Sequence, residues 1–179
     1  LDDSEMEVLS QRGVSVVHAP EGNMKLSSGV ARVSEMVRMG LTVGIGTDGC
    51  ASNNNLDLFK EMDSAAKLGK VTTRDPVDMD AGTVMKMATS WGAKIMGLED
   101  ETGTIEKGKK ADLIVVDMNS PHLVPLYNPV STIVYSTSGA DVKDVIVNGS
   151  ILMKDRRFQT LDQEEIMDRV KAIALEVMS

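Results

Sequence analysis

The stretch Leu41 to Leu56, LTVGIGTDGCASNNNL, decides how this chain is read. Leu41-Thr42-Val43-Gly44-Ile45 is a short apolar run of the kind that forms a buried strand. Gly46-Thr47-Asp48-Gly49 stops it, and a polar run then leads toward a helix. An acid therefore stands where a strand ends and a loop opens, the edge at which parallel α/β folds bind ligands. Upstream, the β-branched run Val14-Ser15-Val16-Val17 predicts a second strand, buried on both faces, that ends at His18-Ala19-Pro20. A loop rich in Gly, Asn and Ser is expected from there to Ser28. Val30, Val33 and Val37 then fall on one face of a helix that Gly40 closes. Strand, helix and strand make a βαβ unit with parallel strands and a right-handed crossover. His18 and Asp48 would then share one rim.

Outward from this unit, Ser4-Glu5-Met6-Glu7 has capping-box spacing for a first helix that ends near Gly13. Ser52 to Asn55 offer caps for a helix carrying Leu56, Phe59, Met62 and Ala66 on one face, which Asp75-Pro76 terminates. Thr83 can cap a helix through Val84, Met87, Ala88, Trp91 and Ile95, closed by Gly97. Near Thr102 the texture changes. Asp112 to Asp117, Ile133-Val134-Tyr135 and Val142 to Val147 read as strands, and Asn148-Gly149 is a hairpin signal answered by Ile151-Leu152-Met153. An amphipathic helix from Glu164 to Val177 follows, with Ile166, Val170, Ile173 and Val177 on one face. The expected divisions are a βα portion at 1–101, a small antiparallel portion at 102–160 and a helix at 161–179.

The totals exclude several functions. The 179 residues, 42% hydrophobic and 26% charged, suffice for one globular domain and a small appendage. With 3% aromatics and 13 Met, aliphatic side chains and Met must fill the core. A net charge of −8 argues against nucleic acid or an anionic membrane as partner. A single cysteine, Cys50, leaves no internal disulfide and suits a reducing cytoplasm. The first residue is Leu1, and Leu1-Asp2-Asp3-Ser4 reads as the interior of a longer product, truncated or processed.

Asp48 alone reads either as an Asp-Gly turn or as a metal-ligating carboxylate or general base at a strand end. His18 either bonds a backbone carbonyl or contacts a substrate. Lys25 is a solvated lysine or a partner for a carboxylate or substrate. Cys50, with no His near it in sequence, reads as a small packing residue rather than a nucleophile. His122, between Pro121 and Leu123, reads as a loop histidine away from the rim. There is no His-x-His, no Cys-x-x-Cys and no Walker loop, and two histidines with one cysteine cannot close a metal shell.

Three motifs together carry a resemblance. His18-Ala19-Pro20-Glu21-Gly22-Asn23-Met24-Lys25-Leu26, Gly46-Thr47-Asp48-Gly49-Cys50-Ala51-Ser52-Asn53-Asn54, and Gly103-Thr104-Ile105-Glu106-Lys107-Gly108-Lys109-Lys110-Ala111-Asp112-Leu113 resemble the C-terminal half of a metal-dependent amidohydrolase. The subgroup they look like is the 5′-methylthioadenosine/S-adenosylhomocysteine deaminases and their chlorohydrolase-like relatives. The resemblance implies an α/β fold: the last two βα units of a (β/α)8 barrel, the C-terminal part of a small β-sandwich and a terminal helix. His18 would end the seventh barrel strand and Asp48 the eighth. Asp48 would ligate zinc or iron and shuttle a proton from the attacking water to the leaving amine. His18, Asn23 and Asp48 would contact a small-molecule nucleoside, deaminated at its exocyclic amine.

The same resemblance places the remaining metal ligands upstream of Leu1, and a full barrel needs about 250 residues. The chain alone is therefore expected to be inactive, and to be a homo-oligomer in the cytoplasm with neither nucleic acid nor membrane as partner. Local departures stand at Ala19 and Gly22, where the family often has Asn and Ser, at Cys50, where it often has Ala, and near Thr132, where it often has His. Two other readings stay open: a structural or split-barrel subunit that docks to a partner, and an amidohydrolase acting on guanine, cytosine or an s-triazine.

Overall fold

The computed structural model describes residues 1–178, which cluster into two compact units, Leu1–Lys109 with Met118–Asp141, and Lys110–Asp117 with the chain from Val142. Residues 118–141, expected within the antiparallel portion, thus lie in the first unit.

The first unit opens with helix α1, Asp3–Gln11. Its capping box is Asp2 with Glu5, two residues before the expected Ser4 and Glu7, and Ser4 instead donates its hydroxyl to the Asp2 carboxylate at 2.7 Å. Strand β1 (Val16–His18) pairs in parallel with β2 (Val43–Ile45), with His18 opposite Ile45. This is the expected strand-helix-strand order. The stretch read as a loop after Pro20 is helix α2, Pro20–Lys25. Pro20 sits in its first turn with Glu21, and Lys25 sits at its end, three preferences that favour a helix over a free loop. Helix α3 covers only Val33–Arg38, so Val30 lies outside it and is exposed.

After β2 come the short α4 (Cys50–Asn53) and the long α5 (Leu58–Thr73). The cap of α5 is Asp57, whose carboxylate accepts the Phe59 amide, rather than any of residues 52–55. Phe59, Met62 and Ala66 are buried as the pattern predicts, whereas Leu56 precedes the helix and is exposed. The single helix expected from Thr83 to Ile95 is two, α6 (Ala81–Ala88) and α7 (Ser90–Ile95), broken at Thr89 where ψ is −94°. Asp80 caps α6 by accepting the Gly82 and Thr83 amides, displacing Thr83 from that role.

Ile133-Val134-Tyr135 is not a strand. It is the end of helix α8, Pro129–Tyr135, whose N-cap Asn128 accepts the Ser131 amide and whose first turn holds Pro129. Val134 is fully buried there, and α8 packs on α5 and α6. Helices α3, α5, α6 and α7 all cover β2, so Val43 is fully buried. The main neighbour of β1 is β2, and Val17, expected inside, is 59% exposed because the helices stack over the other strand.

The second unit is a four-stranded antiparallel sheet in the order β3 (Leu113–Val116), β4 (Val142–Val147), β5 (Ser150–Lys154), β6 (Arg157–Phe158). Asn148 and Gly149 both take positive φ, 48° and 79°, the geometry that a two-residue hairpin between β4 and β5 demands. A second such turn, Asp155-Arg156, carries no glycine and was not expected. Helix α9, Gln163–Met178, is present as predicted, with every residue exposed. Among the described residues no helix is long and apolar enough to cross a membrane.

Candidate active site at the strand ends

Both strands stop at the same level, and the Gly46 amide donates to the His18 carbonyl at 3.0 Å, holding the two ends together. His18 is buried, 5% exposed. Burial alone drives its imidazole down to about 4, so the ring is neutral at physiological pH. Its Nδ1 meets no hydrogen-bond partner among the described residues. The backbone-carbonyl reading of His18 therefore finds no support at this nitrogen, which is a buried polar atom in need of a partner.

Asp48 stands three residues past β2 with φ +58°, a left-handed conformation that aspartate tolerates better than most residues. The side chain is exposed. Ser52 Oγ donates to Asp48 Oδ2 at 2.7 Å. That bond, followed by the Gly49 amide, holds the carboxyl below the usual carboxylate range. The residue is thus an ionised, oriented acid at the rim. Asn23 lies half-buried on α2, one helix away from His18 in sequence.

The other candidates fall outside this role. Lys25 is committed to α4, donating to the Ala51 carbonyl at 2.8 Å and to the Asn54 side-chain oxygen. Cys50 is free and exposed, so it does no packing here. His122 has a partner the loop reading lacked, the buried Asp141 carboxylate at 3.1 Å. Among the described residues no group of three or more His, Cys, Asp and Glu could hold a metal ion. The described residues of this chain therefore do not by themselves form a closed metal shell.

Sequence reasoning missed Glu61 and Glu21. Glu61 is fully buried on α5 and accepts the Glu21 amide at 3.1 Å and the Asn53 side-chain amide. Burial raises its carboxyl above the usual range. The signal was available: Glu61 stands in line with Ala65 and Gly69 at intervals of four, on the stripe that packs inward.

The family model of the amidohydrolase family matches residues 1–152, and the chain belongs to that family. It is 54% identical over 174 residues to the 5-methylthioadenosine/S-adenosylhomocysteine deaminase 1 of Syntrophus aciditrophicus, covering 97% of this chain and 39% of that protein. It is 48% identical over 179 residues to the 5′-deoxyadenosine deaminase of Methanosarcina mazei, covering all of this chain and 41% of the relative. Among solved structures, a zinc-bound adenosine deaminase from Xanthomonas campestris superposes with a TM-score of 0.97 at 36% identity, over 99% of this chain and 40% of that one. A zinc complex of the atrazine chlorohydrolase of Arthrobacter aurescens gives 0.88 at 26% identity, over 96% of this chain and 38% of that one. The chain thus spans about two fifths of the length of the relatives it matches.

Proposed function

We propose that this chain is the C-terminal portion of a metal-dependent hydrolase that deaminates an adenine-type nucleoside of the methylthioadenosine/S-adenosylhomocysteine class. In this reading β1 and β2 with their helices are the last two βα units of a (β/α)8 barrel, and β3 to β6 belong to a β-sandwich. The observation that carries it is Asp48, an exposed carboxylate kept ionised and aimed by Ser52 just past a parallel strand end. The 54% identity to a deaminase of that class supports the substrate, and the zinc in related structures supports zinc over iron.

Asp48 would be the residue of this chain that holds the metal. A divalent metal supplies a water acidic enough to attack near neutral pH. With Oδ2 held by Ser52, Asp48 takes a proton from the attacking water at its second oxygen and returns it to the leaving amine, which departs as ammonia. The neutral His18 ring, with Nδ1 unpartnered, and Asn23 on the adjoining helix contact the substrate. A single ligand binds a catalytic metal weakly, so the 179-residue chain has no activity by itself. Exposed Val17 on β1 stands where this reading places the preceding barrel strand, the intact product is proposed to be a homo-oligomer, and the lone free Cys50 supports a cytoplasmic protein.

The test is ammonia release by the intact gene product, loaded with zinc, from methylthioadenosine, S-adenosylhomocysteine and 5′-deoxyadenosine. Asp48→Asn is expected to lower kcat about 10²- to 10⁴-fold while leaving the melting temperature unchanged, since Asn tolerates the same φ. Turnover of guanine, cytosine or an s-triazine in place of these nucleosides would overturn the substrate. Zinc-dependent ammonia release by the 179-residue chain would overturn its dependence on the missing ligands, and a monodisperse monomer in light scattering would overturn the oligomer.

A further inference from the structure

Glu61 is a carboxylate buried among neutral donors, and its bonds reach the helices that follow both strand ends. Its Oε2 accepts the amide of Glu21, in the first turn of α2, which begins two residues past His18. Its Oε1 accepts the side-chain amide of Asn53, the last residue of α4, which begins two residues past Asp48. Asn53 is itself buried, and its Oδ1 accepts the backbone amides of Asn55 at 3.1 Å and Leu56 at 2.8 Å. Those amides only donate, so they fix the Asn53 side chain with its oxygen toward the loop and its NH2 toward Glu61. The Glu21 amide also only donates. Glu61 therefore accepts at both oxygens, an arrangement that an ionised carboxylate meets with no proton to place. An ion in a buried position is costly, and a neutral amide of the same shape would turn a donor against a donor. The network closes outside this pair, where the Glu21 carboxylate accepts from Asn55 Nδ2 at 2.7 Å and Ser64 Oγ at 3.2 Å.

We propose that Glu61 is a positioning residue for the deamination: through the Glu21 amide and Asn53 it locks α2, which follows His18, to α4, which follows Asp48, and so sets the placement of the two rim side chains. The proposal rests on the function given above. It makes an exchange of roles possible. In Glu61→Gln the new NH2 faces a donor. In Asn53→Asp two carboxylates face each other. In the double variant the amide at 61 donates to the carboxylate at 53, its carbonyl accepts the Glu21 amide, and the second oxygen at 53 accepts from Asn55 and Leu56. All four proteins have the same shape, so loss of packing is not a competing cause.

The experiment is this cycle in the intact protein, read by kcat and KM for deamination and by amide hydrogen exchange at Glu21 and Leu56. Each single variant is expected to lose about 10- to 100-fold in kcat with little change in KM, as loss of placement does. The double variant is expected to recover to within about threefold of the parent, the signature of a direct pair. Exchange at both amides rises about tenfold or more in the singles and returns in the double. Singles with unchanged kcat, or a double no better than the poorer single, overturn the proposal. If a single variant does not fold, a soluble double with parental exchange supports it and an insoluble double overturns it. Absence of deaminase activity in the parent would sink the function alone, because the exchange pattern then decides the latch by itself.

Discussion

Lowering the pH should destabilise this chain through His18, and the size of the effect follows from its burial. The ring is 5% exposed, and its ordinary value of 6.5 falls to about 4 in the fold. The folded state holds the neutral form. At pH 7 the unfolded chain is mostly neutral too, so His18 contributes nearly nothing to the pH dependence. Below 6.5 the unfolded state takes up a proton that the folded state refuses, and stability falls until about pH 4, where the folded ring also protonates. With one unit worth 1.36 kcal/mol, the loss due to His18 is about 2 kcal/mol at pH 5 and approaches roughly 3 kcal/mol at the acid end of that window. The assay is urea unfolding at pH 7, 6 and 5, followed by the fluorescence of Trp91, the one tryptophan, for the parent and for His18→Asn. Carboxylates titrate in both proteins, so the difference between them isolates the imidazole. The parent should lose about 2 kcal/mol more than the variant between pH 7 and 5. A difference below about 0.5 kcal/mol would refute the buried, neutral ring.

Other perturbations test the packing and the turns. Val134→Ala removes two methyls from a fully buried site between α8, α5 and α6, and should cost about 2 kcal/mol in denaturant unfolding; less than about 0.5 would mean the helix docks loosely. Gly69→Ala should destabilise by about 1–2 kcal/mol although Ala favours helices, because its Cβ would stand 2.7 Å from Met79 Cβ and 2.3 Å from its Cγ; a raised melting temperature would contradict that contact. Gly149→Val should weaken the β4–β5 hairpin by roughly 1–2 kcal/mol, since φ at Gly149 is 79°, and unchanged amide protection in those strands would refute the turn's role.

Much of the rim was legible in one dimension. A strand that stops at Ile45 and an acid three residues later are local facts, and the parallel pairing of β1 with β2 places His18 at one strand end and Asp48 just past the neighbouring one. The Asn148-Gly149 hairpin was readable for the same reason, because two adjacent residues decide it. Residues 133–135 were not. A short β-branched run suits a strand or a buried helix equally, and the deciding signal lay upstream in the Asn128 cap and Pro129. The caps of α1, α5 and α6 were each misplaced by two to five residues, since several polar side chains compete for the same amides and only the folded backbone chooses among them.

Burial separates the two kinds of knowledge. Composition, the strand-loop-helix order and the three motifs belong to the chain as written, and they determined the family and pointed to Asp48 as the residue to test. Tertiary structure decided which polar groups lose water. It left His18 neutral, with a nitrogen that has no partner among the described residues, and it turned Glu61 from one acid on a helix into the acceptor that joins α2 to α4. Desolvation and donor geometry depend on residues such as Glu21 and Glu61, 40 positions apart, meeting in space, and no local pattern in the sequence carries that information.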